Sequence, residues 1–267
     1  MKIIKVFPRR TKATPDDGFC RGPELFDQAD EVHLSVTFTW DIPAAEELER
    51  QWRNVAPVKV GGPAIGTRGE EFSPGMYLKE GYTITSRGCP NRCWFCTVPK
   101  RDGDIRELPI KDGWNVLDDN LLACSDEHIE NVFTMLGRQK TKAEFTGGLE
   151  AKLLKKWQAK RMKTIKTKQA FFAYDTEDDF EPLAQATKMM LDAGFTKASH
   201  SLRCYVLVGY PKDTFDLAEF RMKQVCGLGL TPMGMLWRDR VGTVGNEWRQ
   251  WQRKWARPAI IHGGVRP

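Results

Sequence analysis

The sequence predicts an α/β fold: a parallel sheet with crossover helices, preceded by a small α/β module. Two patterns carry that expectation. From about residue 81 onward, short apolar runs rich in β-branched and aromatic residues alternate with stretches whose apolar residues recur at helical spacing. In a chain of 267 residues, 41% hydrophobic and 28% charged, there is also enough apolar material for one large core and one small one. No apolar run approaches the roughly eighteen residues of a membrane span.

Residues 1–80 read as the small module. A short strand followed by basic residues occupies 1–10, and 31–37 reads as another strand. A helix is expected over 43–53 with Ala45, Leu48 and Trp52 on one face, then a strand over 58–60 that ends at Gly61-Gly62-Pro63. The main part, 81–238, opens with a strand at 82–86 and continues with a second at 114–123. Ile129, Val132, Phe133 and Leu136, at i, i+3, i+4 and i+7, then make one helix face. Further strands are expected at 143–146, 170–174, 204–208 and 232–237. Helices between them are marked by Phe180, Leu183, Ala184, Thr187 and Leu191, and by Phe215, Ala218, Met222 and Val225. A basic, tryptophan-rich segment over 239–267 closes the chain. Its last residues, with His262, Gly263 and Gly264, read as a tail or as a segment closing over the sheet. No internal repeat interrupts the order.

The chemistry is concentrated in TSRGCPNRCWFCTVPK, where Cys89, Cys93 and Cys96 stand as C-x3-C-x2-C directly after the first main strand. Three thiolates can grip a metal centre and leave one coordination position open, whereas an iron-sulfur cube built for electron transfer normally takes four. A zinc knuckle would pair two short Cys/His clusters, and no second one occurs. A disulfide framework needs an oxidising compartment, but the N-terminus does not read as a signal segment, so a cytoplasmic location is expected. Cys20, Cys124, Cys204 and Cys226 are scattered singly and read as small buried hydrophobes.

With Phe95 before its last cysteine, the triplet resembles the signature of the radical S-adenosylmethionine superfamily. The resemblance implies a partial (β/α)6 TIM-like barrel whose carboxyl end carries the site. Its cofactors would be a 4Fe-4S cluster on Cys89, Cys93 and Cys96 together with S-adenosyl-L-methionine. It further implies reductive cleavage to a 5'-deoxyadenosyl radical that abstracts hydrogen from an unknown substrate, with an electron donor such as flavodoxin or ferredoxin. Where most of the superfamily ends its second strand in Gly-Gly-Glu, which holds the methionine amino group, this chain has Asp118-Asp119-Asn120. That variation is similar to the cobalamin-linked and methylthiotransferase-like branches. Carboxylate and amide oxygens can accept from an ammonium group, though a solvated turn is the plain alternative. If the strand count shifts by one, Gly147 and Gly148 take that place. Otherwise they line the same rim, where Glu150 would meet the ribose, or they form only a turn. Gly209 and Tyr210 resemble the fifth-strand segment that lets the backbone approach adenine, or they end a strand. Tyr174 and Asp175 are weaker rim candidates. Cys204, Tyr205 and Cys226 are candidate hydrogen-atom donors with core packing as the alternative. The leader is similar to a shortened cobalamin-binding domain but lacks D-x-H-x-x-G. Cobalamin is therefore not expected to bind, and His33, inside a strand, is assigned to packing.

The net charge of +6 favours an anionic substrate or a nucleic acid. Lys152, Lys155, Lys156, Lys160, Arg161, Lys163, Lys166 and Lys168 form a basic run. Trp248, Trp251 and Trp255 alternate with Arg249, Arg253, Lys254 and Arg257, a mixture that suits phosphates and unstacked bases. The same spacings also describe a solvated helix face and a helix docking on a core. Two function classes stay open: a radical S-adenosylmethionine enzyme, including a cobalamin-dependent methyltransferase, and a non-catalytic iron-sulfur protein for electron transfer or redox sensing.

Overall fold

A computed structural model describes residues 1–65, 72–239, 241–256 and 261. His262, Gly263, Gly264 and Arg257 lie outside these residues. The chain divides into two compact units, Met1–Tyr82 with Arg240–Gly242, and Thr83–Asp239 with Thr243–Pro267.

The first unit is built on a three-stranded parallel sheet of β1 (Ile3–Val6), β2 (Glu31–Ser35) and β3 (Val58–Gly61), in that order. Helix α1 (Ile42–Trp52) crosses from β2 to β3, with proline in its first turn, where a missing N–H costs nothing. Ala45 and Trp52 of α1 are buried against Ile4, Val6, Val32 and Leu34. His33 lies within β2, as expected, and is buried. One ring nitrogen meets the Tyr77 hydroxyl, while Nε2 stands 3.1 Å from Glu31.

The second unit holds a six-stranded parallel sheet. It comprises β4 (Tyr82–Thr83), then, beyond the short β5 (Ser86–Arg87), α2 (Val98–Arg101) and β6 (Arg106–Glu107), strand β7 (Asn115–Val116). The elements α3 (Asp126–Arg138), β8 (Glu144–Leu149), α4 (Lys156–Thr164), β9 (Gln169–Tyr174), α5 (Phe180–Asp192), β10 (Leu202–Val208), α6 (Phe215–Leu228), β11 (Thr231–Leu236) and α7 (Asn246–Trp255) follow. Strand order across the sheet is β11-β10-β9-β8-β7-β4, the order of the chain itself. Side-chain parity sorts the faces. Phe145, Ala170, Phe172, Leu202, Cys204 and Val206 join one core with Val132 and Phe133 of α3, Met162 of α4, Leu183 of α5, Met222 of α6 and Trp251 of α7. The intervening residues turn the other way: Phe171 stacks on Tyr205 at 4.5 Å, and the Tyr205 hydroxyl donates to the Thr146 carbonyl at 3.0 Å.

Several expected boundaries move. The strand over 82–86 splits in two because Asp118 captures the Thr85 N–H and hydroxyl, at 2.6 and 2.5 Å, where a ladder partner would otherwise sit. The strand over 114–123 shrinks to β7, since the three polar side chains after Leu117 are drawn into contacts that pull the backbone out of the ladder. A 3-10 turn, Leu121–Ala123, takes the remainder. The strand at 143–146 lengthens to Leu149, with a break in register between Phe145 and Leu149. Gly147 and Gly148 therefore lie in an irregular strand and not in a turn after it. Helix α4 was hidden by the basic run. Only Ala159, Met162 and the uncharged Gln158 are buried in it, too few for a periodic signal.

Candidate active site

The cysteines sit on the connection between β5 and β6, which pair antiparallel. Gly88 enters the loop at φ +91, and a Cβ there would collide with the Gly103 and Asp104 carbonyls, so glycine is required for this crossing. The Cys89 N–H donates to the Gly103 carbonyl at 3.1 Å, and the Cys96 N–H to the Cys93 carbonyl at 3.1 Å. Lost solvation at sulfur, then the charges of Cys96 and Cys89, push Cys93 above the usual thiol value. Burial and Cys89 likewise push Cys96 up, against a backbone hydrogen bond from Val98. Thiols in one another's field lose protons with difficulty unless a positive centre compensates.

The three polar residues after β7 divide the work. Asp118, 2% exposed, accepts from the Thr85 N–H, the Thr85 hydroxyl and the Ser86 hydroxyl at 2.8 Å; burial pushes its carboxyl up. Asp119 accepts from the Gly88 N–H at 3.0 Å, Arg87 at 3.1 Å and Arg101 at 3.3 Å. It thereby ties the chain just before Cys89 to the chain just after Cys96. Both carboxylates were expected to face the methionine end of the cofactor, and the structure gives them other partners. Asn120 is the one of the three with a hydrogen-bond contact to a cysteine sulfur: its Nδ2 donates to Glu150 at 2.6 Å and lies 3.4 Å from the Cys89 sulfur. Its Oδ1 is buried and has no hydrogen-bond partner.

An orphaned acceptor of that kind costs about 1–3 kcal/mol. It fits a cationic donor such as an ammonium group placed beside Cys89. Glu150, ion-paired with Lys152 at 2.7 Å, completes the corner, so the two sequence candidates for the methionine site meet in one place. Gly147 packs so closely on the Asp118 backbone that a Cβ would collide, whereas Gly148, at φ +103, has open space above it. Among the described residues no three His, Cys, Asp or Glu side chains gather around one ion-sized point. A cube does not require that, because its thiolates bind different irons.

Beyond this corner, Trp94, 58% exposed, sets its edge on Phe95 at 5.4 Å and on Tyr210 at 5.7 Å. Gly209, at φ +74, donates to Asp213 at 2.8 Å, and its open side abuts the Trp248 ring of α7. Tyr174 was expected on the rim. It instead belongs to the helix-side core, where its hydroxyl donates to Gln224 of α6 at 2.7 Å. Burial together with Asp179 pushes the carboxyl of Asp175, the next residue, up to about 7. Cys204 lies in the helix-side core and Cys226 packs against it, while Tyr205 points to the opposite face. The buried pair Asp213 and Arg221, at 2.9 Å, escaped the sequence reading; an arginine on the apolar side of α6 was the available signal. Trp251 and Trp255 are buried on the core and Trp248 packs half-buried beside them, so the tryptophan stripe of α7 docks the helix.

No family model matches the chain, and no curated protein matches its sequence. Among the described residues no helix is long and apolar enough to cross a membrane.

Proposed function

We propose that the protein is a radical S-adenosylmethionine enzyme with a partial (β/α)6 barrel. The observation that carries the reading is the C-x3-C-x2-C loop at the carboxyl end of the parallel sheet, with the unpartnered Asn120 oxygen beside Cys89. Sequential strand order with α3, α4, α5 and α6 on one face is an arrangement found in barrel folds, whose sites lie at that end. Cys89, Cys93 and Cys96 would hold a 4Fe-4S cluster, and the chemistry it would supply when bound is one-electron reductive cleavage of the carbon-sulfur bond of S-adenosylmethionine. Asn120 Oδ1 would accept from the methionine ammonium of that cofactor, and Glu150, which accepts from Asn120 Nδ2 at 2.6 Å, holds the amide in place. Asp119 holds the two ends of the cysteine loop at fixed separation. Thr146, Phe171 and Tyr205 line the face on which a substrate is excluded from water. Lys152, Lys155, Arg161 and Lys168 are each paired with a carboxylate, which leaves less of the basic run free for a nucleic acid.

The test is spectroscopic. Protein reconstituted without oxygen and reduced with dithionite should show an electron paramagnetic signal of one reduced cluster, and that signal should change on adding S-adenosylmethionine. A signal indifferent to S-adenosylmethionine would leave an electron-transfer protein.

A further inference from the structure

At the amino end of the sheet, away from the cysteine loop, a cavity of about 210 Å³ opens between the segments that lead into β8, β9 and β10. Lys142 enters it ahead of β8, Lys163 from the last turn of α4, and Lys166 ahead of β9; Thr196 and Ser201 add hydroxyls. Among the described residues no carboxylate pairs with any of the three lysines. Their neighbours Lys155, Arg161 and Lys168 each have one. Lys163 lies 5.3 Å over the Phe195 ring, which supports its chain without neutralising it. Lys166 is held at φ 56 by the turn that closes the C-terminus of α4, where its N–H donates to the Lys163 carbonyl.

Helix ends supply the competing explanation, since lysines gather at helix C-termini to offset the dipole. Magnitudes decide against it. The two ends nearby, of α4 and α5, bring about half a negative charge each, against three ammonium groups. Their last carbonyls are also already taken: Met162 O accepts from the Thr167 N–H and hydroxyl, at 3.2 and 2.7 Å, and Lys163 O accepts from the Lys166 N–H at 3.0 Å. The cavity keeps an excess of about two positive charges. Its volume is below the roughly 300–1,000 Å³ of sites that enclose whole drug-sized ligands, so the occupant is a small group and not a complete nucleotide.

We propose that this cavity is a binding site for a phosphate group, free or at the end of a small phosphorylated molecule, separate from the cysteine site and independent of the reaction proposed there. Inorganic phosphate is titrated into the full-length protein by calorimetry at low ionic strength, with sodium chloride at matched ionic strength as the control. A saturable single-site isotherm is expected. Lys163→Met combined with Lys166→Asn, the asparagine tolerating the left-handed turn, should weaken it at least tenfold with the melting curve retained, and Lys142→Met alone should weaken it as well. A phosphate monoester such as phosphoserine should compete, which would extend the site to phosphorylated small molecules; its failure to compete would confine it to free phosphate. An isotherm no different from chloride, or one that neither variant alters, would overturn the proposal. So would binding of a single-stranded oligonucleotide through these lysines that phosphate does not displace, because the surface would then be a nucleic-acid track.

Discussion

Asn120 differs from the two aspartates before it in having an oxygen with nothing to do. Asp118 and Asp119 satisfy four protein groups besides arginines, and their removal should act on the scaffold, whereas Asn120 should act on the ligand. In Asn120→Ala, iron and sulfide content after reconstitution should match the parent, while affinity for S-adenosylmethionine measured by calorimetry falls by about tenfold or more, the worth of one charge-assisted hydrogen bond. In Asp119→Ala the order reverses: iron loading itself should fall, because the ties from Gly88 and Arg101 are cut together. Asp175 sets a pH dependence. Its folded value of about 7 lies above the unfolded carboxylate value, so the folded state binds the proton more tightly and stability declines as pH rises from about 4 through 7. Asp175→Asn should therefore raise the melting temperature of the cluster-free protein at pH 8 and change it little at pH 4. A gain that is equal at both pH values would remove the burial of the charged form as its cause.

At the scale of elements, periodicity located what it could physically report. Strands with one face in a core, β9 and β10, came within two residues of their observed bounds, and the apolar stripe of Ile129, Val132, Phe133 and Leu136 lies inside α3. Elements shaped by side-chain to backbone contacts did not. The ends of β4 and β7 depend on where Asp118 and Asn120 reach, and those partners lie about thirty residues away in sequence. The site was legible as far as its residue types: the cysteine loop and both polar motifs were named, but which polar atom is left free is set by tertiary pairing alone. Tyr174 shows the limit, since the face on which its side chain falls sends it to Gln224 and away from the rim. Two substitutions check the element contacts by chemical denaturation. Trp251→Ala should cost about 3–5 kcal/mol, as for a buried aromatic side chain. Asp213→Ala should cost a similar amount, because it strands the buried Arg221 guanidinium without its partner.

The whole molecule joins a small parallel module to a larger unit whose strand order follows the chain, with helices α3 to α6 packed into one core on one side of its sheet. In the small module the only histidine is engaged by Tyr77 and Glu31, so incubation with hydroxocobalamin followed by desalting should recover no stoichiometric cobalamin. Recovery of about one per chain, lost in His33→Ala, would make radical methylation the leading chemistry. The central claim is tested most directly by the product. Protein reconstituted without oxygen, reduced with dithionite and given S-adenosylmethionine should yield 5'-deoxyadenosine detectable by mass spectrometry, and the yield should vanish in Cys89→Ala, Cys93→Ala and Cys96→Ala. A fully loaded cluster that releases no 5'-deoxyadenosine, or equal release from the cysteine variants, would contradict the account.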